Sequence, residues 1–149
     1  MKRVLVIMLA ASFVIGSNNL FAQLRDVPSE VTNSLKAKYP DAADVSWDDK
    51  ITSFQASFKS NGAAYQARFS KDGEWKESEK AILLEDAPAA VKNSFNSTKF
   101  KDWTMQNVAM LEMANGGTEY RIYVHNNSVK RKYLFFNEEG KLIKESFKL

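Results

Sequence analysis

The sequence predicts an α+β protein made of two tandem repeats, each one N-terminal helix followed by an antiparallel β-meander of about four strands. Three observations predict it. Residues 26–35 read DVPSEVTNSL and residues 86–95 read DAPAAVKNSF, a near match sixty positions apart. After each decapeptide the apolar spacing drops from four to two, the change expected where a helix gives way to strands. Turn signals then divide each half in the same way: Asn61-Gly62 and Asp72-Gly73 in the first, Asn115-Gly116-Gly117 and Glu139-Gly140 in the second.

Ahead of the first helix lies an export signal. Lys2 and Arg3 precede residues 4–16 (VLVIMLAASFVIG), which are uncharged and largely apolar. That run is shorter than the ~20 residues a membrane span needs. Leu20-Phe21-Ala22-Gln23 supplies a cleavage site after Ala22. Leu20 is larger than the usual residue at its place, and an uncut, membrane-anchored signal is the alternative. The organisation is then 1–22 signal peptide, 23–85 first helix–meander repeat and 86–149 second, with a periplasmic or secreted destination and no membrane association after cleavage. The chain has no Cys, which excludes a cysteine-linked lipid anchor and leaves a hydrophobic core, not disulfides, to hold the fold. Losing Lys2 and Arg3 lowers the formal charge from +3 (21 basic, 18 acidic) to +1 (19 basic, 18 acidic). With no block of like charges, nucleic acid is not an expected partner.

The elements follow in order. Pro28 and Pro88 suit a first helical turn, where a missing N–H costs nothing, and Asp26 and Asp86 bring negative charge to the positive end of the helix dipole. Val27, Val31 and Leu35, and likewise Ala87, Val91 and Phe95, form one apolar stripe on each helix. Pro40 ends the first helix. Phe54, Ala56 and Phe58 alternate with polar residues, as do Tyr65, Ala67 and Phe69, and a further strand starts at Trp75. The second half has strands over 103–113, 120–125, 130–136 and 142–147. A single copy would be marginal alone, and two copies are expected to share a core. Asp44, Asp48 and Asp49 read as an acidic solvated loop between the first helix and its strands.

Catalytic chemistry finds little to work with. His125 is the single histidine and no Ser sits on a G-x-S-x-G elbow, so a nucleophile–base pair is unsupported. One His and no Cys make a poor zinc site, and the aspartates near Trp47 lack calcium-loop spacing. Glu77, Glu79 and Glu85 read as solvated charges, not as a glycosidase pair. No enzyme activity, cofactor or metal is expected. Trp47, Trp75 and Trp103 read first as core anchors.

The strands of the two halves differ in the face they turn away from the core. In the first half that face carries Gln55, Ser57, Gln66 and Arg68, which suits water. In the second it carries Arg121, Tyr123, His125, Arg131, Tyr133 and Phe135. Tyr and Arg are enriched where proteins bind one another. Arg121, Tyr123, Arg131, Tyr133 and Phe135 are therefore the candidate partner-binding residues. The alternatives are burial of that face by the other half, by a dimer partner or by residues 108–113, and a small-ligand groove.

The export signal ending Phe21-Ala22-Gln23, the D-x-P-x-x-V helix start, Tyr39-Pro40 with Trp47, and aromatic-alternating strands closing on D-G-x-W or E-G-K-L resemble the PepSY-like family. These are small exported proteins, largely from Bacteroidetes, β-lactamase-inhibitor-like in fold. The resemblance covers residues 24–148. It implies tandem helix-plus-sheet units that offer a sheet face to a partner and carry no catalytic residues. The related inhibitor fold binds an enzyme through a concave sheet, and PepSY domains proper restrain peptidases. The function expected is a non-catalytic module binding an envelope protein, such as a peptidase or other hydrolase, as inhibitor or restraint, in a monomer or homodimer. The alternative is a binder of glycan or peptidoglycan fragments, using a pocket at Trp47 or Trp103.

Overall fold

The computed structural model describes residues 26–126 and 130–147. The export signal and its cleavage after Ala22 lie outside these residues, as does Asn127, which the sequence reads with Asn126 as the turn between the strands expected over 120–125 and 130–136. Helix α1 (Ser29–Lys38) leads into β1 (Ala43–Asp49), β2 (Ser53–Ser60), β3 (Ala63–Ser70) and β4 (Trp75–Ile82). A 3-10 turn at Leu84–Asp86 precedes α2 (Ala89–Asn96), then β5 (Thr104–Met113), β6 (Thr118–His125), β7 (Arg131–Asn137) and β8 (Leu142–Phe147).

Every strand pairs antiparallel with its successor, so the eight form one sheet in chain order. The halves meet edge to edge where β4 pairs with β5, with Glu79 opposite Leu111 and Ile82 opposite Val108. Register carries one face across that seam. Ala56 stands opposite Ala67 and Ala67 opposite Ser78. Two residues on from Lys80, Ile82 then leads through Val108 and Ile122 to Leu134. Both helices pack on this face, because its side chains are the ones they bury.

The expected shared core is corrected to two clusters. Val31 and Leu35 of α1 cover Phe54, Ala56, Phe58, Ala67 and Phe69. Ala87, Val91 and Phe95 at α2 cover Val108, Ile122, Val124, Leu134 and Phe136. The reason is reach. The helices have 10 and 8 residues, hence are roughly 12–15 Å long at 1.5 Å per residue. Between them β4 turns polar Ser78 and Lys80 to the helix side, in register with Ala67 and Tyr65. Each fully buried Phe, Leu or Val contributes about 1.5–3 kcal/mol relative to exposure, and each half supplies its own set.

The helix starts are seated by glycines. Gly73 and Gly140, in the β3–β4 and β7–β8 turns, have φ of +89° and +81°. A Cβ on Gly73 would lie 2.8 Å from the Glu30 carbonyl oxygen, and one on Gly140 would lie 2.4 Å from that of Ala90. Glu30 and Ala90 occupy the same position of the two matched decapeptides. Only a residue without a side chain lets the helix backbone settle onto the turn. Pro28 and Pro88 stand one place earlier than the first helical turn, as N-caps. The Pro28 carbonyl accepts from the N–H groups of Val31 and Thr32 at 3.1 Å, while Asp86 accepts from the Leu83 N–H at 3.3 Å.

The acidic stretch near Trp47 is likewise corrected. Asp44, Asp48 and Asp49 lie in edge strand β1, not in a loop. Lys59 pairs with Asp44, Lys50 with Asp48 and Lys71 with Asp49. Charge and the positive φ of Asp44, beside the β1–β2 register shift, roughen that edge against further strand pairing. The tryptophans support the cores. Trp47 lies 6.1 Å from Phe69 between ring centroids, and Trp103 meets Phe100 edge-on at 5.0 Å. Trp75 donates its indole N–H to Ser78 at 2.8 Å beneath the Lys38 ammonium, which sits 3.6 Å from the ring centroid.

Candidate functional site

Strand alternation brings the five candidate residues together on the face opposite the helices. Across β6 and β7, Arg121 stands opposite Phe135, Tyr123 opposite Tyr133 and His125 opposite Arg131. Directly opposed residues of an antiparallel pair share a face and touch. The Tyr123 and Tyr133 rings are 4.9 Å apart between centroids, and Tyr133 and Phe135 are 6.5 Å apart. These three rings form one half-exposed row, and Arg131 is exposed at its end.

Arg121 is the hinge of the arrangement. Its guanidinium carbon lies 4.9 Å from the Tyr133 ring centroid, and its terminal nitrogen donates to Glu79 of β4. That pair crosses from one half of the chain to the other through β5, with side-chain exposures of 19% and 25%. Arg121 is thus held partly by Glu79, and an incoming partner does not find it as an unpaired charge. The sequence alone reads Glu79 as a solvated charge. No local signal marks it, because its partner is 42 positions away.

Lys144 was also missed. It stands opposite Phe135 on β8, with its ammonium 5.3 Å from the ring centroid. A register shift between Phe135 and Phe136 puts Lys144 on this face, which simple alternation from Leu142 does not do for the residues between.

Residues 108–113 do not cover the patch. They form β5 within the same sheet, and Ala109 and Leu111 lie beside Arg121 and Glu119. The first half does not cover it either, since its strands continue the same sheet beyond β5. On that half the open face is polar and internally paired: Gln55 donates to Gln66 at 3.1 Å and Arg68 to Glu77 at 3.0 Å.

His125 ends β6, half-buried, with Nδ1 3.4 Å from the Asn126 carbonyl oxygen. Among the described residues no three His, Asp or Glu side chains converge as a metal site, and no helix is long and apolar enough to cross a membrane. Trp47 borders a cleft of about 390 Å³ together with Asp26, Val45, Ser46 and Asp49.

A family model described as "Putative beta-lactamase-inhibitor-like, PepSY-like" matches residues 52–144. A crystal structure of a protein from Bacteroides eggerthii, described as "putative periplasmic", is similar at 28% identity and a TM-score of 0.77, covering 81% of this chain and 88% of that one. A BLIP-like protein from Bacteroides fragilis is similar at 25% identity and 0.73, covering 80% and 85%. A DUF2874 family protein from Bacteroides ovatus is similar at 27% and 0.75, covering 80% and 86%. Comparison with curated proteins returned no match.

Proposed function

The chain belongs to the PepSY-like family, and from that membership we propose a non-catalytic, exported protein-binding module that occupies an envelope protein through the open face of its sheet. The observation that carries this reading is the row Tyr123, Tyr133 and Phe135, bounded by Arg121 and Arg131, on a face that neither helix covers. Aromatic side chains supply large contact area at low entropic cost and arginine adds charge-assisted hydrogen bonds, the profile of interface anchors. The action is steric. A partner seated on this face has part of its own surface occupied, which is inhibition if that surface includes an active site.

The two halves are read as copies of one helix–meander unit. What supports this is the matched seating of Glu30 on Gly73 and of Ala90 on Gly140. A copied unit frees one open face to diverge while the other stays polar. The small-ligand alternative uses the cleft beside Trp47, whose acidic rim could accept from sugar hydroxyls. Quenching of tryptophan fluorescence by muropeptides without any protein partner would favour it.

The test is a pull-down from a Bacteroides envelope extract with the tagged protein and a Tyr133→Ala/Phe135→Ala variant. The expected outcome is a protein captured by the first and lost from the second, with the variant still folded by circular dichroism. Unfolding of the variant identifies the row as core packing and removes the reading.

A further inference from the structure

The charges of the open face divide unevenly. In the first half Arg68 is matched by Glu77, and Glu79 is taken by Arg121 across the seam. In the second half Arg131 and Lys144 are exposed, and among the described residues neither has a carboxylate within ion-pair distance. They stand at opposite ends of the aromatic row. Arg131, Tyr133 and Phe135 follow one another at every second residue of β7, and Lys144 lies against Phe135 from β8. At about 3.4 Å per residue the row is roughly 14 Å long.

Resting on the partner-binding reading above, we propose that this row receives an extended acidic segment of the partner protein, with the pattern acid–x–apolar–x–acid. In an extended chain residues i, i+2 and i+4 point the same way and repeat the spacing of the row. The central apolar side chain then packs on Tyr133 and Phe135, while the flanking carboxylates meet Arg131 and Lys144. Charge complementarity selects acids over bases, and the apolar centre selects a peptide over a simple polyanion. The Glu79 clasp keeps Arg121 engaged, so the two outer cations carry the selection.

Panning random dodecapeptides on phage against the purified protein tests this directly. The expected result is enrichment of peptides with two acids spaced four apart around an apolar residue. Their binding should fall about tenfold or more on Arg131→Glu/Lys144→Glu, as loss of a charge-assisted contact predicts. These two residues are exposed, so that variant keeps its fold where the aromatic one could lose it. Enriched peptides that need Tyr133 and Phe135 but carry no acids overturn the acidic pattern and leave the binding face standing. An absence of any peptide sensitive to Tyr133→Ala/Phe135→Ala overturns both. If instead phosphatidylglycerol vesicles bind through Arg131 and Lys144 and peptides do not, the surface is a lipid-headgroup site and the proposal fails.

Discussion

The two halves of this chain agree on the face that meets the helices and part company on the other. Toward the helices, Phe54, Ala56 and Phe58 of β2 are answered by Tyr120, Ile122 and Val124 of β6, and all six are buried. Away from them, Gln55 and Gln66, an amide pair in the first half, have Arg121 and Tyr133 as counterparts, a cation over a ring in the second. A buried face must fill the space beneath a short helix, and few residue sets do so at native density. An open face has no such constraint and can carry whatever a partner requires. The likeness therefore reports packing, and the difference points to where a specific role would be written.

The largest effects test the likeness. Phe69 and Phe136 are the fully buried centres of the two clusters. Alanine at either should cost about 3–5 kcal/mol, the usual loss for a buried Phe. The clusters are separate, but β4 and β5 join them in one ladder. Urea unfolding of each variant should hence remain a single transition by tryptophan fluorescence and by circular dichroism. Two resolved transitions, with Trp103 reporting one and Trp47 with Trp75 the other, would show two independent folding units.

Next come the turn glycines, where the halves should differ in degree. An alanine in the left-handed region costs about 1–2 kcal/mol on backbone grounds alone. At Gly62, with φ +77°, a Cβ meets nothing within 4 Å, so only that cost applies. At Gly73 and Gly140 the Cβ also runs into the helix backbone, more closely at Gly140. Thermal melts should rank the destabilisation Gly140→Ala above Gly73→Ala above Gly62→Ala. Equal losses at all three would mean that the helix starts do not seat on the turns.

Much of this architecture was legible because it is local. Helix stripes at spacing four, strand alternation and Asn-Gly or Asp-Gly turns are set within a few residues, and the helices and every strand but β1 lie within two or three residues of the expected ends. What escaped is non-local. The separation of the cores depends on how far two short helices reach over a shared sheet. Glu79 looked solvated because Arg121 comes to it only through β5. Lys144 was hidden by a one-residue shift, which moves side chains between faces. Asp44, Asp48 and Asp49 looked like a loop because strand propensity yields to pairing at an edge. The aromatic row was visible as a pattern, while its freedom from cover depends on the first half lying alongside it in the sheet.

A weaker effect is expected where the two halves place different residues at one matched position. Counting five residues on from the turn glycines gives Ser78 in the first half and Glu145 in the second. Ser78 is buried at 3% exposure, because β5 flanks its strand. Glu145 is exposed, because β8 is the sheet's outer edge. A hydrogen bond from the Lys132 ammonium, at 2.9 Å, holds the Glu145 carboxyl below its ordinary value. A depressed folded-state pKa adds stability above the unfolded value of about 4.3 and loses it as pH falls through the folded value. The pair is solvent-screened, so its contribution should stay below about 1 kcal/mol. Glu145→Gln should therefore be slightly less stable than the parent at pH 7, and the gap should close in acid as the parent's carboxylate takes up its proton. A gap that persists unchanged at low pH would assign the difference to packing of the edge strand instead of to the charge that its place at the edge allows.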